Sequence, residues 1–185
     1  MHMTFDLETL GVNANSPIVQ IAAVVFSSQG TIYDEIQLTI NLESLQDFDF
    51  TVDYSTISWW MNQTKKAQKS VFGVKHKDDI EAALIRFKEW MIQATTDYPD
   101  IKIWSHKDFD PVILQNAYNK IGITTPPWYR RHVDIRTLTH LAGPISVKRE
   151  GVHHNALDDC KYQAKYIAKS LKQMNKARIK VIVEK

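Results

Sequence analysis

The first 41 residues carry the pattern of three consecutive β-strands. Residues 3–11 have the pattern of a short strand, and residues 18–26 form an apolar, β-branched run that is typical of a strand covered on both faces. After turn-forming residues at 27–30, residues 31–41 alternate between apolar and polar side chains. Three strands with short connections indicate an antiparallel meander.

Helical periodicity dominates the rest of the chain. It is clearest from residue 78 to residue 94, where apolar side chains recur at intervals of three and four. Asp110 followed by Pro111 is typical of a helix start, and Gly122 can end that helix. The other predicted elements are a helix from residue 55 or 56, strands at 101–104 and 132–135, a small helix at 136–142 and a long helix at 155–174.

This order of elements predicts one three-layer α/β domain around a mixed sheet, formed by residues 1–175. Residues 42–54 show no clear period and are interpreted as a loop. Residues 177–184 alternate like a strand, so the tail, residues 176–185, is expected to form an extra edge strand. Such a strand could pair across a two-fold axis, which makes a homodimer one hypothesis.

The composition agrees with a single globular domain and narrows the chemistry. The 185 residues are 44% hydrophobic and 24% charged, and no apolar run approaches the roughly 18 residues that span a bilayer. We therefore expect a cytoplasmic protein with no membrane partner. Cys160 is the only cysteine, so any metal must be held by oxygen or imidazole ligands. The formal net charge of +2 neither indicates nor opposes nucleic-acid binding.

Two acids on the first strand suggest a metal site. Asp6 and Glu8 share one face of that strand, and Leu7 points back into the protein. Neighbouring buried carboxylates raise each other's pKa unless a cation lies between them. Asp110 at a predicted helix start and Asp159 on the long helix add two carboxylates, and carboxylate oxygens are the ligands that Mg²⁺ or Mn²⁺ prefers.

Ordinary structural roles are alternatives for each of these residues taken singly. An Asp-x-Glu pair at a strand end can be solvated, and Asp110 can be a helix cap. Asp108 is interpreted as a loop residue and Asp158 as an acid that favours the first turn of a helix. His154 stands five residues before Asp159 and can act as a general base on an attacking water.

Three short motifs, taken together and in order, resemble the DEDDh branch of the 3′-to-5′ exonucleases with an RNase H-like fold. They are Phe-Asp-Leu-Glu-Thr at 5–9, Ser-His-Lys-Asp-Phe-Asp at 105–110 and His-Asn-Ala-Leu-Asp-Asp-Cys at 154–160. The second motif selects Asp110 and the third selects Asp159. The chain departs from the family pattern at His106, where many members carry asparagine, and at Cys160, where alanine is usual.

The resemblance implies an RNase H-like three-layer domain with a five-stranded mixed sheet, in which strands 1–3 are antiparallel and the later strands parallel. It implies two Mg²⁺ or Mn²⁺ ions held by Asp6, Glu8, Asp110 and Asp159. It also implies that His154 is the general base. The implied substrate contacts are Thr9, Leu10, His106 and Phe109, with Leu10 wedged against the terminal base. The implied activity releases 5′-mononucleotides from the 3′ end of single-stranded RNA or DNA.

Within this branch the chain looks most like the phage DexA-type exonucleases and their bacterial exoribonuclease relatives, on residues 57–63, 127–128 and 134–138. Trp59 and Trp60 in the first segment are interpreted as core residues rather than as base-stacking platforms. Two other functions stay open: a module that binds nucleic-acid ends or a protein without cleaving, and a hydrolase of small phosphodiesters. The complete set of acids argues against the non-catalytic module, and the hydrolase of small phosphodiesters stays open.

Overall fold

The computed structural model describes residues 1–126, 128 and 130–183, with side chains described as far as residue 176. It contains one sheet of five strands: β1 His2–Thr9, β2 Ile18–Phe26, β3 Ile32–Thr39, β4 Lys102–Ser105 and β5 His132–Asp134. Their spatial order is β3-β2-β1-β4-β5. β2 is antiparallel to both β1 and β3, whereas β4 is parallel to β1 and β5 is parallel to β4. The predicted meander and mixed sheet are confirmed.

Helices cover both faces of the sheet. In the described residues they are α1 Tyr54–Met61, α2 Lys65–Val71, α3 Ile80–Asp97, α4 Asp110–Ile121, α5 Ile135–Ala142 and α6 Ala156–Val183. Met3, Phe5 and Leu7 of β1 pack on one face against α3 and α4, through residues such as Phe87 and Leu114. On the other face, apolar residues of β2 pack against α5 and α6: Ala22, Val24 and Phe26. The three-layer architecture is confirmed.

Two short elements have no clear signal in the sequence. α2 begins after Thr64, whose side-chain oxygen accepts a hydrogen bond from the backbone N–H of Ala67. The helix buries only Ala67 and Val71, and two apolar positions in a lysine-rich stretch are too few to reveal a helical period. A 3-10 turn at Leu42–Leu45 lies within the segment interpreted as a loop, and Asn41 caps it.

The prediction of an edge strand in the tail is wrong for residues 176–183, because α6 continues through them as far as Val183. Neither glycine nor proline occurs there to stop the helix, and Ile182 interrupts the two-residue alternation. Residues 184 and 185 lie outside the described part of the chain. The homodimer hypothesis loses its basis in strand pairing. None of the described helices is long and apolar enough to cross a membrane.

The fold brings three chain segments to one edge of the sheet. β1 and β4 are parallel, so their carboxyl ends meet there, and α4 follows β4 directly. Gln20 of β2 lies opposite Glu8 in the strand register and accepts a hydrogen bond from the backbone N–H of Ala156 at 2.9 Å. This bond fixes the first turn of α6 above the same edge.

Candidate active site

Four carboxylates converge where β1 and β4 end. Asp6 and Glu8 lie on β1, Asp110 is the first residue of α4, and Asp159 lies in the first turn of α6. All four line a cleft of about 620 Å³. Asp6, Glu8 and Asp110 are only 9%, 7% and 1% exposed. The structure therefore brings together the four acids that the sequence motifs select.

Hydrogen bonds from the chain orient two of these carboxylates. The oxygens of Asp110 accept hydrogen bonds from the backbone N–H groups of Leu7 at 3.3 Å and His106 at 2.8 Å. Asp6 accepts one from the Gln163 amide at 2.7 Å, and Gln163 in turn accepts one from the Thr4 hydroxyl at 2.6 Å. These donors, from β1, from the connection after β4 and from α6, orient the two carboxylates towards the cleft.

The electrostatics of the cluster fit a cation site. Burial raises the pKa of Glu8 to about 8, with a further contribution from the charge of Asp110, and burial raises the pKa of Asp110 to about 7. The pKa of Asp6 is raised well above its usual range by burial and by the charges of Asp110 and Glu8. Buried carboxylates that destabilise one another are stabilised by a cation. Their hard oxygen donors suit Mg²⁺ or Mn²⁺.

His154 lies at the edge of the acid cluster. Glu8, His154 and Asp159 each offer a ligand atom, and these atoms lie within 4.8 Å of one another. The His154 ring stands edge-on to Trp59, with the ring centroids 4.6 Å apart. Burial, followed by the charges of His153 and Arg149, lowers the pKa of His154 to about 4. The imidazole is therefore neutral at pH 7 and can accept a proton, and the geometry also permits it to ligate a metal.

A second cavity of about 390 Å³ adjoins the cleft and shares Leu7, Glu8, Val12 and Phe109 with it. Its remaining walls come from the strand end and from α1: Thr9, Gly11, Ser55, Thr56, Trp59 and Trp60. The indole N–H of Trp60 donates a hydrogen bond to the Thr9 carbonyl at 2.9 Å, which fixes α1 against the end of β1. We call this cavity the aromatic pocket.

The aromatic pocket receives only some of the residues expected there. Thr9 and Phe109 line it, but Leu10 does not, because its side chain is buried in an apolar cluster with Val19, Trp60 and Val71. Val12, which is 70% exposed, lies at the junction of the two cavities instead. The sequence gives no sign of this exchange, since the chain turns after β1 and the two-residue alternation no longer applies.

The two neighbouring tryptophans have different surroundings. Trp60 is 3% exposed and belongs to the apolar cluster, in keeping with the core role expected for it. Trp59 is 41% exposed, and its side chain forms part of the wall of the aromatic pocket. The core interpretation is therefore wrong for Trp59. A helix places consecutive residues on different faces, which separates the two indoles.

Three other polar residues lie where their motifs suggest. His106 lines the cleft, and its buried Nδ1 has no hydrogen-bond partner among the described residues. Asp108 is exposed and does not line the cleft. Asp158 faces away from the site and accepts a hydrogen bond from the backbone N–H of Val152 at 2.7 Å, which is a structural role.

The far wall of the cleft carries residues that the motifs do not include. Arg136 and Thr139 come from α5, Tyr162 and Tyr166 come from α6, and Arg149 comes from the loop between these helices. Arg149 forms an ion pair with Asp159. A single arginine in a polar loop has no pattern that distinguishes it from surface charge, so the sequence offers no signal for this contact.

The strand order and the two helical layers define a mixed α/β domain with a carboxylate cluster at the ends of β1 and β4. Solved structures of E. coli exonuclease I have this fold. The complex with a dA16 oligonucleotide matches with a TM-score of 0.65 and 11% identity, over 95% of this chain and 41% of that chain. The complex with a 5cy-dT13 oligonucleotide matches with a TM-score of 0.60 and 15% identity, over 92% of this chain and 40% of that chain.

Identities this low show the shared fold alone, and the present chain spans about two fifths of the length of these exonuclease I chains. The family model of the Rv2179c-like 3′-5′ exoribonuclease domain matches residues 1–171. The chain therefore belongs to this family, and the expected membership among 3′-5′ exonucleases of RNase H-like fold is confirmed. No curated protein sequence matches the chain.

Proposed function

We propose that this protein hydrolyses single-stranded RNA from its 3′ end to 5′-mononucleotides with the help of two divalent cations. The observation that carries the proposal is the convergence of Asp6, Glu8, Asp110 and Asp159 beside the aromatic pocket. The family description favours RNA, while the similar fold of exonuclease I, which binds DNA oligonucleotides, keeps DNA as the competing substrate.

The cations would be Mg²⁺ or Mn²⁺, held by the four carboxylates. When bound, they supply Lewis-acid activation of the attacking water and stabilise the charge that develops on the departing 3′ oxygen. The contribution of the chain is to keep the carboxylates oriented, through Gln163 for Asp6 and through the backbone N–H groups of Leu7 and His106 for Asp110.

His154 is the proposed general base. Its lowered pKa leaves the ring unprotonated at pH 7, and the separation of its ligand atom from those of Glu8 and Asp159, within 4.8 Å, supports a role in accepting the proton of the attacking water. The edge-on contact with Trp59 restricts the orientation of the ring. The proton from the water passes to a nitrogen of the imidazole.

The aromatic pocket would hold the 3′-terminal nucleoside. Trp59 and Phe109 offer ring faces or edges to a base, and Val12 is the exposed apolar side chain between this pocket and the cleft. We assign to Val12 the wedge role expected of Leu10. Stacking on apolar and aromatic groups is tolerant of base identity, so little sequence preference is expected. His106 lines the cleft and would contact the substrate there.

The test is a digestion series on end-labelled RNA and DNA oligonucleotides of the same sequence, with Mn²⁺. We expect 5′-mononucleotides, a higher kcat/KM for RNA, and a loss of about 100-fold to 10,000-fold in kcat for His154→Ala. His140→Ala is the matched control because His140 is exposed on α5 and does not line the cleft. Near wild-type cleavage by His154→Ala would remove the assignment of the base, and cleavage of small phosphodiesters but not of oligonucleotides would remove the proposed substrate.

A further inference from the structure

One basic side chain is paired directly with the acid cluster. Among the described residues, the salt bridges to the four site carboxylates come from Arg149 alone, which pairs with Asp159. The charge of Arg149 also lowers the pKa values of Asp6 and Glu8, against the larger effect of burial. Arg149 therefore partly neutralises the cluster in the protein without metal.

The loop that carries Arg149 is fastened to α6 on both sides of this residue. Before it, the backbone carbonyl of Ser146 accepts a hydrogen bond from Lys169. After it, Glu150 pairs with Lys165, and the N–H of Val152 donates to Asp158. These contacts hold the loop over the start of α6, so the position of Arg149 above Asp159 is built into the fold.

The guanidinium of Arg149 has a second contact on the cleft wall, with Tyr162. Its central carbon lies 4.7 Å from the centroid of the Tyr162 ring, a distance typical of a cation–π contact. The Nε atom of Arg149 is buried and has no hydrogen-bond partner among the described residues. The side chain therefore has an unused donor and a supporting surface that does not depend on Asp159.

Arg149 and a divalent cation cannot both have full use of Asp159. A metal ion on Asp159 would share this carboxylate with the guanidinium that contacts its Oδ1, and two adjacent cations repel each other. Arginine is permanently charged, so it cannot leave by losing a proton. Movement of the guanidinium away from Asp159 would remove this repulsion.

We propose that Arg149 is a built-in counter-ion of the metal site: the divalent cation displaces it from Asp159, and it then binds a backbone phosphate of the nucleic acid along the Tyr162 wall. The planar guanidinium matches a phosphate with two parallel hydrogen bonds. The phosphate half of the inference rests on the proposed function, whereas the counter-ion half does not.

The counter-ion half is tested by titrating Mn²⁺ into metal-free protein and measuring the dissociation constant by calorimetry. Arg149→Ala is expected to bind Mn²⁺ about tenfold more tightly than the wild type, a gain of about 1.4 kcal/mol. Lys148→Ala is the matched control, because it removes a charge from the same loop but does not line the cleft, and its affinity should equal that of the wild type. Equal or weaker Mn²⁺ binding by Arg149→Ala would overturn the inference.

The phosphate half is tested by kinetics at saturating Mn²⁺. Arg149→Ala and Arg149→Lys should both raise KM for an oligonucleotide, by about tenfold for alanine, with a smaller change in kcat. The lysine variant keeps the positive charge but lacks the planar guanidinium that forms two parallel hydrogen bonds. Because the charge is kept, its Mn²⁺ affinity should stay close to that of the wild type. Should the alanine variant fail to fold, the lysine variant replaces it in the KM measurement, and Arg149→Gln, which removes the charge, replaces it in the Mn²⁺ titration. An unchanged KM would reject phosphate binding. An inactive wild-type protein would reject the proposed function, yet the Mn²⁺ titration would still decide the counter-ion role.

Discussion

The carboxylate of Asp110 illustrates how a single buried acid is kept ready for a cation. Two backbone N–H groups donate hydrogen bonds to its oxygens. The residue is only 1% exposed, and this burial raises its pKa to about 7. Asp108, two residues earlier, has the same chemistry but is exposed and does not line the cleft. The functional difference between the two residues is therefore one of placement, since α4 begins at Asp110.

Exchanging these two acids for asparagine one at a time tests that placement. Asp110→Asn should lower kcat/KM by more than about 100-fold, because even the loss of an outer-shell partner of a metal typically costs 10-fold to 100-fold. The amide oxygen can still accept a backbone hydrogen bond, so the variant should fold. Asp108→Asn should have wild-type kinetics. Similar losses in both variants would show that the cleft was wrongly assigned.

The raised pKa values also predict how the stability of the metal-free protein depends on pH. Glu8 has a folded-state pKa of about 8, far above the value of about 4.3 expected in the unfolded chain. The folded state therefore binds this proton more tightly. Its stabilising effect is complete below the unfolded pKa and is lost as the pH rises through the folded pKa, and Asp110 acts in the same sense.

We expect Tm in the presence of EDTA to fall by about 2–6 °C between about pH 6.5 and pH 8.5, since about 1 kcal/mol shifts Tm by about 2–4 °C in a domain of this size. Glu8→Gln should remove most of this slope. The range stops at about pH 6.5 because His2 and His154, with lowered pKa values of about 4, destabilise the fold at more acidic pH. A Tm that rises with pH in this window would contradict the assigned pKa directions.

The residues of the site differ in how far the sequence reveals them. The four acids and His154 form short motifs at fixed spacing, and all five line one cleft. Leu10 and Val12 could not be told apart, because the end of a strand releases the chain from its two-residue alternation. Arg149 could not be found at all, because its contact with Asp159 depends on how a polar loop is fastened to α6.

At the scale of elements, the position of α6 determines the site. Gln20 is fully buried on β2, and its carbonyl oxygen accepts hydrogen bonds from the Ala156 backbone at 2.9 Å and from the Asn155 side chain at 3.3 Å. Its amide donates to Thr39 at 3.1 Å and to the Ser70 carbonyl at 3.2 Å. One side chain thus connects the first turn of α6 to two other parts of the fold.

Replacing Gln20 by alanine should therefore affect both stability and catalysis. We expect the free energy of unfolding to fall by about 2–4 kcal/mol, since buried partners lose their hydrogen bonds. The kcat should also fall, because Asp159 lies on the freed first turn. Gln29→Ala, at an exposed turn position, is the control for urea unfolding and for activity. If Gln20→Ala lowers the free energy of unfolding but leaves kcat unchanged, the hydrogen bonds of Gln20 do not determine the position of Asp159.

Long elements with a complete apolar face are the ones that the sequence predicts. α3 has seven buried residues at helical spacing, and β2 is buried along its whole length. α2 buries two residues, and its start depends on a capping hydrogen bond from Thr64. The tail shows the opposite error, because the alternation of Ile179, Val181 and Val183 is typical of a strand, whereas the helix before these residues continues through them.

For the molecule as a whole, the cleft offers few positive charges to a nucleic acid. The net charge is +2, and the arginines and lysines that line the cleft are Arg136 and Arg149 among the described residues. The cleft and the aromatic pocket have volumes of about 620 and 390 Å³, each in the range of about 300–1,000 Å³ usual for one small ligand. This chain should therefore hold only the last nucleotides of a strand, and hold them weakly.

The dependence of KM on salt concentration measures how many phosphate contacts hold the strand. For single strands, the logarithm of the binding constant falls by about 0.7 per phosphate contact for each tenfold rise in salt, so two arginine contacts predict a slope of about −1.4. Arg136→Ala should reduce the slope by about 0.7. A slope steeper than about −4 would mean that the strand also contacts further basic side chains, for which the lysines of α2 are the candidates: Lys65, Lys66 and Lys69.

Because few contacts hold the strand, the enzyme should release its substrate after one or a few cleavages. A large excess of unlabelled RNA added after the start should therefore stop further shortening of the labelled strand.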